Sequence, residues 1–99
     1  MYQVGIAELR VIINLESDRI AGVAGWRAKA VSLGNRSEVT LKEALQPVII
    51  SGRSLYNFIA TSDLLKKDFV LYVNGWELPP GSLLDMVVKD NTQIHIMDA

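Results

Sequence analysis

The chain has 99 residues, enough for one domain and too few for two cores of ordinary size. Ten Lys and Arg stand against eleven Asp and Glu, a formal charge of -1, which argues against a general nucleic-acid or anionic-membrane binder. With no Cys and one His there is no disulfide scaffold, no thiol nucleophile and no ready zinc site, so no catalytic, cofactor or metal residues are expected.

The first predicted element is a strand. Leu9, Val11, Ile13 and Leu15 alternate with Arg10, Ile12 and Asn14, a period of two rich in β-branched residues. The start, from Met1 to Leu15, carries Glu8 and Arg10 and alternates in polarity, so neither a signal peptide nor a spanning helix is expected there. The cytoplasm is the expected location. Glu16 to Arg19 breaks the alternation, and Ile20 to Gly25, with its glycines and alanines, reads as a flexible connection. A second strand is expected from Trp26 to Leu33, antiparallel to the first, followed by a turn at Gly34 to Ser37. The glycosylation sequon Asn35-Arg36-Ser37 in that turn reads as chance.

Thr40 and Glu43 form a capping box that starts a helix, along which Leu41, Ala44, Leu45 and Val48 make an apolar stripe. Pro47 should kink or shorten this helix, and Gly52 reads as its stop. Ser54 to Ala60 holds a second helical pattern that either continues the first or stands apart. Asp63, Lys66, Lys67 and Asp68 mix signs and read as a solvated connection. Phe69 to Val73 is a strand by composition, and Asn74-Gly75 after it is a strong type I′ hairpin signal. Trp76 to Leu78 returns, and Pro79-Pro80-Gly81 ends that strand. Ser82 to Val88 reads as an irregular or single-turn segment, Lys89-Asp90-Asn91 as a turn, and Thr92 to Met97 as a final strand.

This order of elements resembles the ubiquitin-like β-grasp. That resemblance implies an α+β fold, with a mixed four- to five-stranded sheet packed on one main helix, filling residues 1–99 as a single domain. The stretch LYVNGWELPPGSLLDMVVKDNTQIHI is similar to the second half of that family. Its nearest likeness is to the bacterial sulfur carriers, the molybdopterin-synthase small subunit and the thiamine-pathway carrier. In those, Val-Asn-Gly like Val73-Asn74-Gly75 is typical, as is a Thr-x-x-Glu helix start like Thr40 to Glu43. The likeness covers about residues 37–97 by motif and 4–33 by element order alone. Two features depart from the pattern. Lys89-Asp90-Asn91 stands where the carriers have an Asp-Gly-Asp turn, and the last glycine is Gly81, whereas carriers and modifiers finish in Gly-Gly on a flexible tail.

Two functions follow as expectations. The first is a non-enzymatic interaction module that binds a protein partner, or a second copy of itself, through the outer sheet face or a sheet edge. The alternative is a sulfur carrier or accessory protein in molybdopterin or thiamine biosynthesis, or a ubiquitin-like modifier, with an absent or truncated Gly-Gly tail. The predicted protein-binding residues are Val70, Tyr72, Trp76, His95 and Met97. If the third and last strands pair in the β-grasp order, Val70, Tyr72, His95 and Met97 share one outer face, where the resemblance implies the apolar patch that partners grip. Trp76, just after a tight turn, is either an exposed anchor or packs over Pro79 and Pro80. Trp26 belongs to the core or its rim. His95 has no partner at a motif spacing, so it reads as a surface residue and not as a catalyst. Phosphate loops, dinucleotide fingerprints and nucleophile elbows are all missing.

Overall fold

The computed structural model describes residues 8–99; the part of the expected domain and of the leading alternation that falls on 1–7 lies outside the described residues. In chain order, β1 (Arg10–Leu15) leads through α1 (Asp18–Ala24) to β2 (Ala28–Ser32). Next come β3 (Glu38–Thr40), α2 (Leu41–Leu45), a hairpin of β4 (Ile49–Ile50) and β5 (Arg53–Ser54), and α3 (Leu55–Ile59). A second small hairpin of β6 (Ala60–Thr61) and β7 (Leu64–Leu65) precedes β8 (Phe69–Val73) and β9 (Trp76–Leu78). β10 (Val87–Lys89) and β11 (Thr92–Asp98) end the order.

One mixed five-stranded sheet, in the order β2-β1-β11-β8-β9, organises the molecule. Its two central strands, β1 and β11, run parallel, and every other neighbour is antiparallel. The period of two predicted for β1 holds: Val11, Ile13 and Leu15 are buried and face Ile94 and Ile96 of β11 and Leu71 and Val73 of β8 in one core. Each fully buried aliphatic side chain here stabilises the fold by about 1.5–3 kcal/mol relative to exposure. Against this inner face pack α1, α2 and α3, through Ile20, Leu41, Leu45, Leu55 and Ile59, and the small hairpins, through Ile50 and Leu65. The architecture is α+β.

Several expectations need correction. Ile20 to Gly25 is not a flexible connection, because α1 spans most of it. The Ser17 hydroxyl accepts the Ile20 N–H as N-cap, Gly25 closes the helix in the left-handed conformation at φ 81, and Ile20 and Ala21 are buried beneath it. A Cβ at Gly22 would meet open space, so packing does not require a glycine there. The sheet is also not packed on one main helix. The capping box at Thr40 and Glu43 forms as predicted, but α2 runs for five residues and stops before Pro47.

Gly52 does not stop a helix. With Ser51 at φ 50 and Gly52 at φ 78 it forms the two-residue turn between β4 and β5, which makes α3 a separate helix. Ser62 and Asp63, at φ 51 and 64, make the equivalent turn between β6 and β7, so the predicted solvated connection begins in an exposed hairpin turn. Ser82 to Val88 is more ordered than predicted. Leu83 bridges to Leu64, Leu84 is buried, and Val87–Lys89 pairs with β3. The second strand is shorter than its predicted range, confined to Ala28–Ser32.

Candidate functional site

The antiparallel register of β8 and β11 sets Tyr72 opposite His95 and Val70 opposite Met97. Residues directly opposite share a sheet face, so the four predicted outer-face residues stand together as a two-by-two block. All four are half-buried. The polar groups of this face are already engaged with one another. His95 Nδ1 lies 2.6 Å from Glu16 Oε1, and the Tyr72 hydroxyl donates to Glu77 Oε1 at 2.9 Å. Asn14, level with His95 on the other side, donates to Gln93 Oε1 at 3.1 Å. The Glu77 carboxylate pushes the Tyr72 phenol above its usual range, because ionisation would remove that hydrogen bond and set two negative charges side by side. This face is a braced surface with apolar inserts.

Trp76 is elsewhere. Asn74 and Gly75, at φ 49 and 87, make the two-residue turn that brings Trp76 opposite Val73. Val73 is buried on the inner face, so Trp76 projects to that same side at the β9 edge, away from the Val70, Tyr72, His95 and Met97 block. It does not pack down onto Pro79 and Pro80: Trp76 is 73% exposed, the most exposed large apolar side chain among the described residues. It forms one side of a groove of about 320 Å³, with Val73 at the floor and Met86, Val87 and Lys89 opposite. Val87 is itself 49% exposed. Of the acids beside this groove, Glu77 accepts from Tyr72 and Asp90 accepts the Arg10 N–H at 2.8 Å. Lys89 makes no ion pair among the described residues, although Glu38 stands directly opposite it in the β10–β3 register. Sequence reasoning named Trp76 but missed Val87, which becomes visible only when β10 pairs with β3 and turns that side chain outward.

A polar cluster on the helical side was not anticipated either. The Tyr56 hydroxyl donates to Asp63 Oδ1 at 2.6 Å, and Lys42 Nζ reaches the same oxygen at 3.1 Å. Burial first, then the bond to Asp63, raises the Tyr56 phenol far above its usual range; Tyr56 and then Lys42 hold the Asp63 carboxyl below its own. These groups tie α2, α3 and the β6–β7 turn together, which is a bracing role. Trp26 sits at the rim of the core as predicted, with Lys29 Nζ 5.5 Å from its ring. Among the described residues no group of three His, Asp or Glu side chains is placed to hold a metal ion, and no helix is long and apolar enough to cross a membrane.

No protein-family model and no curated protein matches this sequence. Among solved structures, the chain is similar to the solution structure of the Haloferax volcanii HVO 2177 protein. The two share 12% sequence identity and a TM-score of 0.69, over 99% of this chain and 90% of that one. Likeness at that identity shows a common fold and nothing about activity.

Proposed function

We propose that this chain is a non-enzymatic protein-interaction module on a ubiquitin-like β-grasp scaffold, and that it engages its partner through the Trp76 edge. The scaffold reading is supported by the order β2-β1-β11-β8-β9 with its parallel central pair. The observation that carries the function is the exposure of Trp76 at 73% beside Val87 at 49%, in a domain whose other aromatic and aliphatic side chains are mostly buried. Trp is enriched among the residues that anchor interfaces, and the groove in front of it suits an inserted apolar side chain. Lys89 at its mouth adds a charge preference, so the partner is expected to place a carboxylate beside that apolar side chain. Near-neutral net charge suits recognition by shape and local pairing instead of a long-range field.

The test is affinity purification with the native chain and with Trp76→Ser, Val87→Ser and the outer-face variant Tyr72→Ala. The captured protein is then purified and titrated directly. Binding that falls at least about tenfold with Trp76→Ser and Val87→Ser, and changes little with Tyr72→Ala, is the expected result. A monomer that captures nothing, or binding indifferent to both groove variants, overturns the reading.

A further inference from the structure

Two exposed leucines lie off the main sheet, on β7 and on the segment that follows Pro79 and Pro80. Leu64 bridges to Leu83 in antiparallel sense. Leu65 donates to the Ser82 carbonyl at 2.8 Å and Leu84 to the Asp63 carbonyl at 3.0 Å, so the backbone bonds flank the bridge. Leu64 and Leu83 are thus a non-hydrogen-bonded pair, the arrangement that holds opposite side chains closest. Thr61 stands opposite Leu64 on its other side, which puts Thr61, Leu64 and Leu83 in one row. The next residues along, Leu65 and Leu84, turn into the core. The row itself stays outside, with Leu64 43% and Leu83 53% exposed.

Because the two segments run antiparallel, the leucine pair has a basic end and an acidic end. At one end Lys66 and Lys67 lie with Pro80 and Gly81 around a hollow of about 520 Å³, which Leu64 also lines. The one acid there, Asp68, stands 3.9 Å from Arg19. At the other end Asp63 and Asp85 border a smaller hollow of about 190 Å³, which Leu83 also lines. The one cation there, Lys42, is held by Asp63 at 3.1 Å. Lys66, Lys67 and Asp85 make no ion pair among the described residues. Uncompensated charge of opposite sign therefore flanks the leucines.

We infer that this row is a self-association surface and that a second copy of the chain covers it. A two-fold axis lying in the contact plane and running across the two segments lays Leu64 on Leu64 and Leu83 on Leu83. The same rotation reverses the chain direction, so the lysine end of each copy meets the aspartate end of the other, twice by symmetry. A two-fold along the segments would instead set lysines over lysines and aspartates over aspartates, and that repulsion selects against it. One surface carries both halves of its own complement. The contact is built from two leucines a side with charged flanks, so the dimer belongs at the weak, small end of interfaces. This inference goes beyond the module reading and does not rest on the Trp76 groove.

Sedimentation equilibrium of the native chain, from about 10 μM to about 1 mM, tests it. The mean mass should climb from that of one chain toward that of two. Leu64→Ser should weaken the association about tenfold or more. Lys67→Glu and Asp85→Lys, both at exposed positions, should each leave the chain monomeric, because each turns two attractive contacts into two repulsive ones. Their amide NMR spectra should keep the native dispersion. An equimolar mixture of the two is the decisive arm. In the mixed pair every contact again joins opposite charges, so the dimer should return. A native chain still monomeric at about 1 mM overturns the inference, whatever other protein covers the leucines. So does association indifferent to Leu64→Ser or to either charge reversal, and so does a mixture as monomeric as its components. The variants of the Trp76 groove decide the module reading separately.

Discussion

The two edges of one sheet are finished in opposite ways. At β9 the hairpin register bonds Trp76 and Leu78 back to β8, so only Glu77 directs its backbone groups outward, and Pro79 and Pro80 follow at once. A short strand closed by prolines resists pairing with another strand. What β9 offers instead is a side chain, the indole of Trp76. At β2 the side chains on the outer face are Ala28, Ala30 and Ser32, small and nearly featureless, and the offer is the backbone itself. Between them the Val70, Tyr72, His95 and Met97 face has its polar groups satisfied internally, which leaves it less to give a partner than either edge. An exposed side chain and an unpaired backbone thus stand on opposite borders, separated by a braced centre.

The contrast breaks most completely if the β2 edge loses its support. α1 links β1 to β2 and is held down by Ile20, which is fully buried. Arg19 of the same helix reaches Asp68 and Asp98 at 3.9 and 3.7 Å, and its guanidinium sits 5.0 Å from the Phe69 ring centre. Ile20→Ala should cost about 2–5 kcal/mol, read as a lower denaturant midpoint. Hydrogen exchange should accelerate at β2 before β9. Equal acceleration at both edges would mean that α1 supports the sheet as a whole and the edges are not independent. A smaller effect should follow at the other border. Gly75→Ala forces a side chain into φ 87 at the turn that sets β9, for about 1–2 kcal/mol. That variant should alter Trp76 fluorescence and leave the Ala28, Ala30 and Ser32 amides in place.

These two borders were not equally legible. The β9 hairpin is written in neighbouring residues, because Asn74-Gly75 selects the turn and the turn selects the pairing. The same rule places Trp76 opposite Val73 and so on the inner side, a consequence that composition alone hides. The outer block was legible too, since a period of two plus the strand order suffices to bring Tyr72 to His95. α1 was missed because its glycine and two alanines obscure the apolar period, although Ser17 and Gly25 mark both ends. The β10–β3 pair was missed for another reason. Val88 and Val39 meet across about half of the chain, and no local signal of either strand announces the partner. Val87, and with it half of the Trp76 groove, stayed out of reach for that reason. The free edge of β2 needed bond alternation, which only the paired structure provides.

The smallest expected effect is the most discriminating. A tryptophan that helps hold a fold loses its contacts when replaced, and such replacements cost about 3–5 kcal/mol in a core. Trp76 is 73% exposed and contributes one wall of an open groove, so Trp76→Ser should change stability by about 0.5 kcal/mol or less, in either direction. Denaturant unfolding of the variant beside the native chain measures this directly, with an unchanged slope as the sign that the native state is intact. A loss above about 1 kcal/mol would make the indole a structural cover for Val73 and Met86, and the β9 border would then be a packed edge with no recognition role. Neutral stability combined with lost binding leaves one physical account. The side chain is kept exposed, at a standing cost in hydration of a large apolar surface, because a partner covers it.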